Sequence, residues 1–260
     1  MLFTELPLVD RPAAARDAGF AAVESWWPSE ETHAWADAVE RAGIPVALLN
    51  ANAGDLTAGE RGFLNIAERQ EHELARIVEA LALAARVGCQ CVNVLVGRLT
   101  DERAHRAQRE AAIDVLHAAA PKAAERQITL VIEPLNALDV PGYLLSTATD
   151  ARSFIESVGS KSVRLLYDAY HAARSGMDPV QEAPRFVDLI QHVQYADHPG
   201  RGAPGTGTID LKRFEGSLRE AGYDRPIGLE FDPAGDTLAA LASVPLLRTS
   251  TGFGIRSRSR

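Results

Sequence analysis

No stretch of eighteen or more residues in this chain is both apolar and free of charge, so the sequence offers no membrane-spanning helix. The start, Met1-Leu2-Phe3-Thr4-Glu5, has neither a basic flank nor a cleavable apolar segment, and no secretory leader is read there. These absences predict a soluble, cytoplasmic protein. Cysteine is scarce: Cys89 and Cys91 are expected to pack in the core, with neither a disulfide nor a metal pair between them. Positive charge is in deficit, 27 lysines and arginines against 35 acids for a net charge of −8. That balance disfavours nucleic acid or an anionic membrane surface as a partner, and a small molecule is the better expectation.

What the chain does have is a recurring pattern at the ends of short apolar runs. Glu133 closes Thr129-Leu130-Val131-Ile132, Asp168 closes Val163-Arg164-Leu165-Leu166-Tyr167, Gln194 lies within Ile190 to Asp197, and Glu230 closes Ile227-Gly228-Leu229. Runs of this kind read as buried parallel strands. Seven are expected: Ala21–Trp26, Val46–Asn50, Cys91–Gly97, Thr129–Pro134, Val163–Asp168, Ile190–Asp197 and Gly228–Phe231. Helical patterns lie between them. The clearest runs from Glu68 to Val87, where Leu74, Ile77, Val78, Leu81, Ala84 and Ala85 form one apolar stripe and Gly88 supplies a stop. Thr147 with Asp150, and Ser29 ahead of Glu30 and Glu31, read as helix caps. Regular β-then-α alternation over a chain of 260 residues, 46% of them hydrophobic, predicts a single (β/α)8 TIM barrel.

Such a barrel has eight strands, and the chain opens directly on a helix-like segment, Leu8 to Ala18. The first strand is expected to be missing, which leaves two sheet edges to be covered, either by an upstream segment or by pairing within a homo-oligomer. The domain is expected to span 1–247. Residues 248–260, ending Arg256-Ser257-Arg258-Ser259-Arg260, read as a disordered basic tail.

A parallel barrel gathers its strand ends on one face. Alternation puts Val131 with Glu133, Leu166 with Asp168, and His192 with Gln194, so the polar set faces the barrel mouth. Carboxylates gathered there repel one another unless a divalent cation neutralises them. Glu133, Asp168, Gln194 and Glu230 make an oxygen-rich set suited to Mg²⁺, with Mn²⁺ as the alternative. Glu133 and Glu230, on opposite sides of such a site, have the chemistry to exchange protons with adjacent carbons of a hydroxy-carbonyl compound, as in aldose–ketose isomerisation. A strand-end acid also commonly caps the helix that follows, and for any one of these residues that reading is equally good. Among further candidates, His171 suits a substrate contact more than an ordinary surface position, and Arg201 suits a carboxylate clamp as well as a solvated loop position. Asp139 suits either a substrate hydroxyl or the turn before Pro141, and His192 reads as a hydrogen-bonded core histidine.

Several motifs in order carry a family resemblance. Asn50-Ala51-Asn52-Ala53-Gly54-Asp55, Ala58-Gly59-Glu60-Arg61-Gly62, Val92 to Gly97, Ile132-Glu133-Pro134-Leu135-Asn136, Tyr167-Asp168-Ala169-Tyr170-His171, Val193 to Asp197 and Gly205-Thr206-Gly207 resemble hydroxypyruvate isomerase, from about Leu2 to about Leu247. The resemblance implies a xylose-isomerase-like barrel that interconverts hydroxypyruvate and 2-hydroxy-3-oxopropanoate. It implies Glu133 and Glu230 as the proton-transferring pair, Glu133, Asp168, Gln194 and Glu230 as metal ligands, and His171 at a substrate oxygen. One departure concerns Glu230-Phe231-Asp232-Pro233, where the family commonly reads Glu-Tyr-Lys-Pro, so a cation near the site becomes an anion. Three other readings stay open: a related isomerase or epimerase acting on a 2-oxo-tetronate, ketose or inosose derivative; an endonuclease IV-like enzyme, disfavoured by Gln194 and the acidic balance; and a non-catalytic remnant barrel.

Overall fold

The apolar runs form parallel strands, and the periodic segments form the helices that cover them. This computed structural model describes residues 2–244, so the basic tail expected over 248–260 and the domain boundary at Leu247 lie outside the described residues. The strands described are β1 (Val23–Ser25), β2 (Val46–Asn50), β3 (Cys91–Asn93), β4 (Thr129–Ile132), β5 (Val163–Asp168), β6 (Ile190–Tyr195) and β7 (Ile227–Leu229). The helices are α1 (Arg11–Asp17), α2 (Thr32–Ala42), α3 (Gln70–Arg86), α4 (His105–Ala124), α5 (Ala148–Val158), α6 (Ala169–Arg174), α7 (Pro179–Glu182), α8 (Leu211–Glu220) and α9 (Thr237–Ala242). No helix among the described residues is long and apolar enough to cross a membrane.

Each strand pairs in parallel with the next, from β1 through β7. Among the described residues β7 does not pair back to β1, and the seam between them is a cavity of about 500 Å³ lined in part by Leu2, Phe3, Val23, Glu24, Ile227 and Gly228. The seven strands and the open seam agree with a TIM barrel that lacks its first strand in this chain. The segment before α1 is fastened to the far end of the fold: the Phe3 amide donates to Thr237 Oγ1 at 2.7 Å, and the Thr237 amide donates to Glu5 at 2.9 Å.

Alternation along the strands divides the core in two. Leu48, Cys91, Val131 and Leu166 form a small cluster apart from the main core, whereas Leu49, Val92, Leu130, Ile132 and Leu165 belong to the large cluster that includes the helices. With Val131 and Leu166 in the barrel interior, Glu133 and Asp168, two residues further along, rise above the same face. Cys89 and Cys91 are free and buried in different clusters.

Two local expectations need correction. The strand predicted over Cys91–Gly97 ends at Asn93, because the chain turns over the barrel top and reaches φ 115° at Gly97. Ser29 does not cap α2. Its φ of 51° is outside the extended region that an N-cap needs, and a 3-10 turn over Ser29–Glu31 leads into the helix instead. The cap at Thr147 forms as expected, its hydroxyl accepting from the Asp150 amide at 3.1 Å.

The loop after β2 is held against the loop after β3 at Gly62. This residue has φ 83°, its amide donates to the Ala53 carbonyl at 2.9 Å, and a Cβ there would overlap the Leu95 carbonyl. Gly62→Ala is therefore expected to destabilise the fold by roughly 2 kcal/mol or more, read as a lower midpoint in thermal or denaturant unfolding; an unchanged midpoint would show that the two loops are not packed in this way.

Candidate active site

Strand register brings the predicted acids together. Glu133 follows β4 directly, Asp168 ends β5, Gln194 lies in β6, and Glu230 follows β7. Asp168 pairs in register with Gln194, and Gln194 with Gly228. Glu133, Asp168 and Gln194 are each no more than 6% exposed, and Glu230 keeps 13% of its side chain exposed. Asp168 takes the helix-capping role open to it from sequence. Its Oδ1 caps α6 by accepting from the Tyr170 amide at 2.8 Å, while Oδ2 is buried with no hydrogen-bond partner.

Burial dominates the electrostatics. It drives the Glu133 carboxyl well above the usual carboxylate range, and Glu230 and Asp168 add like-charge repulsion. Burial likewise raises Asp168, against the pull of Arg201 and the backbone amides of Tyr170 and His171. Glu230 is raised by burial, partly offset by Arg201. Arg201 is a charged donor among them: its Nη2 lies 3.0 Å from Glu230 Oε2 and 3.6 Å from Asp168 Oδ2. Arg201 has φ 53°, its carbonyl accepts from the Asp232 amide at 2.8 Å, and its guanidinium lies 5.0 Å from the centre of the Tyr170 ring. The arginine expected to suit a substrate carboxylate is thus tied to the site's own acids.

The loop that carries Arg201 is built on Asp197. Both oxygens of this buried carboxylate accept backbone amides, Oδ1 from His198 and Ile209 and Oδ2 from Gly205 and Gly207, all at 2.8–3.0 Å. Gly200-Arg201-Gly202-Ala203-Pro204-Gly205 has the spacing of a dinucleotide fingerprint, but it folds here as turns around Asp197 and opens no helix. Asp232, the residue that departs from the family pattern, is exposed and accepts the Ala234 amide at 2.9 Å.

His171 is held in one tautomer. The Asn136 amide donates to its Nδ1 at 3.1 Å, which leaves the proton of the neutral ring on Nε2. Nε2 lies 4.0 Å from Glu133 Oε1 and 3.8 Å from Asp168 Oδ2. Burial and then Arg201 push the ring's pKa down to about 3, so it is a neutral hydrogen-bond donor facing the acids. Asp139, read from sequence as a contact for a substrate hydroxyl, is engaged within the protein. It accepts from Tyr170 Oη at 2.6 Å, Asn136 Nδ2 at 3.0 Å and Arg174 Nε at 3.1 Å. Those hydrogen bonds hold its pKa low despite burial, and it fixes the segment that orients His171.

Three polar residues that the sequence reading did not single out complete the site. Asn93 Nδ2 donates to Glu133 Oε2 and to Asn50 Oδ1, both at 2.8 Å, and Asn50 Nδ2 donates to the Ser25 carbonyl at 3.2 Å. Glu24, on β1, accepts from His192 Nε2 at 2.6 Å and from Gln194 Nε2 at 2.7 Å. His192 is 5% exposed, the hydrogen-bonded interior histidine expected.

The donor set fits a divalent cation. Glu133, Asp168 and His171 place ligand atoms within 4.8 Å of one another, and Asp168 Oδ2 and Gln194 Oε1 are buried oxygens with no hydrogen-bond partner. A cation held there would give these two oxygens a partner and relieve the crowding of carboxylates. His171 presents an N–H to the group and is better suited to a substrate oxygen than to a metal.

The sequence model of the xylose isomerase-like TIM barrel matches residues 12–248. The chain belongs to that family. A putative hydroxypyruvate isomerase of Streptomyces coelicolor is 38% identical over 92% of this chain and 90% of its own length. The hydroxypyruvate isomerase of Escherichia coli is 31% identical over 93% of this chain and 94% of its own, and a 2-oxo-tetronate isomerase of Cupriavidus necator is 32% identical over 93% of each. Among solved structures, "AP endonuclease, family 2" from Brucella melitensis superposes with a TM-score of 0.88 at 29% identity, covering 93% of this chain and 94% of that one. The resemblance to hydroxypyruvate isomerases therefore holds across the chain.

The raised carboxyls of this xylose isomerase-like barrel set a pH dependence. A carboxyl whose pKa is higher folded than unfolded binds more protons in the folded state, so its contribution falls as pH rises from the ordinary carboxylate range through the raised value. With chelator present, the melting temperature is expected to drop more steeply as pH rises above the ordinary carboxylate range in the parent than in Glu133→Gln. Mg²⁺ or Mn²⁺ should raise it more at the upper pH. Parallel profiles for parent and variant would show that the acids are not strained by one another.

Proposed function

We propose that the chain is an aldose–ketose type isomerase acting on a short hydroxy-keto acid, hydroxypyruvate in the first instance. The observation that carries this reading is the grouping of two glutamates, Glu133 buried and Glu230 13% exposed, with Asp168 and the neutral N–H donor of His171. The relatives named hydroxypyruvate isomerase support the choice of substrate.

One glutamate takes a proton from the hydroxymethyl carbon of hydroxypyruvate, and its C–H electron pair forms the C=C bond of an enediolate. The other protonates the neighbouring carbon, which had been the ketone. The hydroxyl proton moves from the first oxygen to the second, so the product is 2-hydroxy-3-oxopropanoate with no gain or loss of atoms or electrons. His171 donates its Nε2 proton in a hydrogen bond to a substrate oxygen, which favours the charge that develops there. Arg201 holds Glu230 in place and keeps part of the burial penalty off its charged form. Glu133, Asp168, Gln194 and Glu230 would hold a Mg²⁺ or Mn²⁺ ion, which would supply positive charge against the negative charge that develops on the substrate.

The substrate carboxylate needs a cation that the site does not already use. Arg201 is engaged with Glu230 and Asp168, but Arg61 has no salt bridge among the described residues and gives Nη1 only to the carbonyls of Leu56 at 3.0 Å and Glu60 at 2.6 Å. Burial and then the nearby Arg98 lower its pKa, Arg201 adds to this, and Glu133 opposes it, which sets Arg61 within the field of the site. Arg61 is accordingly the proposed partner of the carboxylate, by a charge-assisted hydrogen bond.

Glu133→Gln and Glu230→Gln are each expected to lower turnover of hydroxypyruvate by about a hundredfold or more with the fold intact, since acid–base groups contribute roughly 10²–10⁴. Near-parental rates in both would remove the mechanism. EDTA should abolish turnover and Mg²⁺ or Mn²⁺ restore it, whereas activity indifferent to chelation would eliminate the cation. Arg61→Ala should raise KM for hydroxypyruvate about tenfold or more, with little effect on any uncharged ketose that is turned over. Equal effects on both would mean that Arg61 acts on the fold rather than on the carboxylate.

A further inference from the structure

Glu24 takes no part in that chemistry, yet it is the residue by which β1 reaches into the site. Its carboxylate leaves one edge strand, passes Gly228 on the other edge strand, and meets two side chains of β6, His192 at 2.6 Å and Gln194 at 2.7 Å. Gly228 is what lets it pass. A side chain at that position would overlap Glu24 Oε1, and Gly228 is also the register partner of Gln194.

A carboxylate accepts hydrogen bonds and does not donate them. Whatever faces Glu24 Oε2 from Gln194 must therefore be the NH₂ end of the amide, and its oxygen must turn the other way. That oxygen, Gln194 Oε1, is one of the buried atoms left without a hydrogen-bond partner. An amide that was free to rotate would expose either end. Glu24 removes the choice, and the ring N–H of His192 on Oε1 keeps the carboxylate from swinging away. We propose that Glu24 is a positioning residue that turns the Gln194 amide so that its oxygen, and not its nitrogen, faces the cation site. This inference rests on the reading of Glu133, Asp168, Gln194 and Glu230 as that site.

The test reads Mn²⁺ affinity directly, by calorimetry or from the free-ion electron paramagnetic resonance signal, and does not depend on turnover. Glu24→Gln keeps the shape but needs a donor on one side: with its oxygen serving His192, its NH₂ faces Gln194 and favours the flipped amide. Glu24→Asp keeps the charge but is a methylene too short to hold both partners. Each is expected to weaken Mn²⁺ binding by about tenfold to a hundredfold, the range for residues that orient metal ligands. In a Gln194→Ala background, where no amide remains to orient, the same two changes should cost less than about threefold. A direct effect of the Glu24 charge would instead appear equally in both backgrounds and only for Glu24→Gln, and that result overturns the proposal. So does unchanged Mn²⁺ affinity in a folded Glu24→Asp protein while the parent binds. If Glu24→Gln does not fold, as judged by circular dichroism and melting, Glu24→Asp decides alone. A folded parent that binds no Mn²⁺ removes the cation site itself, and with it this inference.

Discussion

Three carboxylates share a few ångströms of buried space at the barrel mouth, and most of the surrounding structure limits what that arrangement costs. Moving like charges together and out of water is unfavourable on both counts. The chain answers with one guanidinium on Glu230 and Asp168, one amide on Glu133, one helix N-terminus on Asp168, and a donor set left open for a cation. None of these neutralises the group completely. The remaining imbalance shows in the carboxyls themselves, which burial and mutual repulsion hold above the ordinary carboxylate range.

Much of this was legible in the sequence because it depends on short-range rules. Alternation along a strand put Glu133 above Val131 and Asp168 above Leu166, and parallel pairing brought the strand ends to one face. The seven strands and the absent first one followed from the same count. What escaped depends on register between strands and on space. Asn93 reaches Glu133 because β3 and β4 are neighbours whose ends coincide, and nothing within Val92-Asn93-Val94 alone distinguishes that asparagine from a turn residue. Glu24 reaches Gln194 only because residue 228 has no side chain. A glycine inside an apolar run reads in sequence as a weak point of a strand, whereas here it is a passage.

The open roles of Arg201 and Asp139 illustrate a different limit. Both residues occupy loops near the mouth, but arginine and aspartate serve equally well as ligands to a substrate or to each other's neighbours. Asp139 satisfies Tyr170, Asn136 and Arg174, and Arg201 satisfies Glu230. Composition cannot reveal which donors are already taken. The aspartate at 232 is similarly clarified by position: its side chain is exposed and used in the turn to Ala234.

The bond from Asn93 to Glu133 fixes where a proton on that carboxyl can sit. Asn93 Nδ2 is a donor on both of its sides, to Asn50 and to Glu133 Oε2, so Oε2 is committed as an acceptor and a proton carried by Glu133 resides on Oε1. That oxygen is the one nearer His171. The carboxyl is thus not a symmetric group that can pick up a proton on either oxygen. It is a single-seat acid with a fixed bearing. An amide on a neighbouring strand thus decides which of the two oxygens can carry a proton.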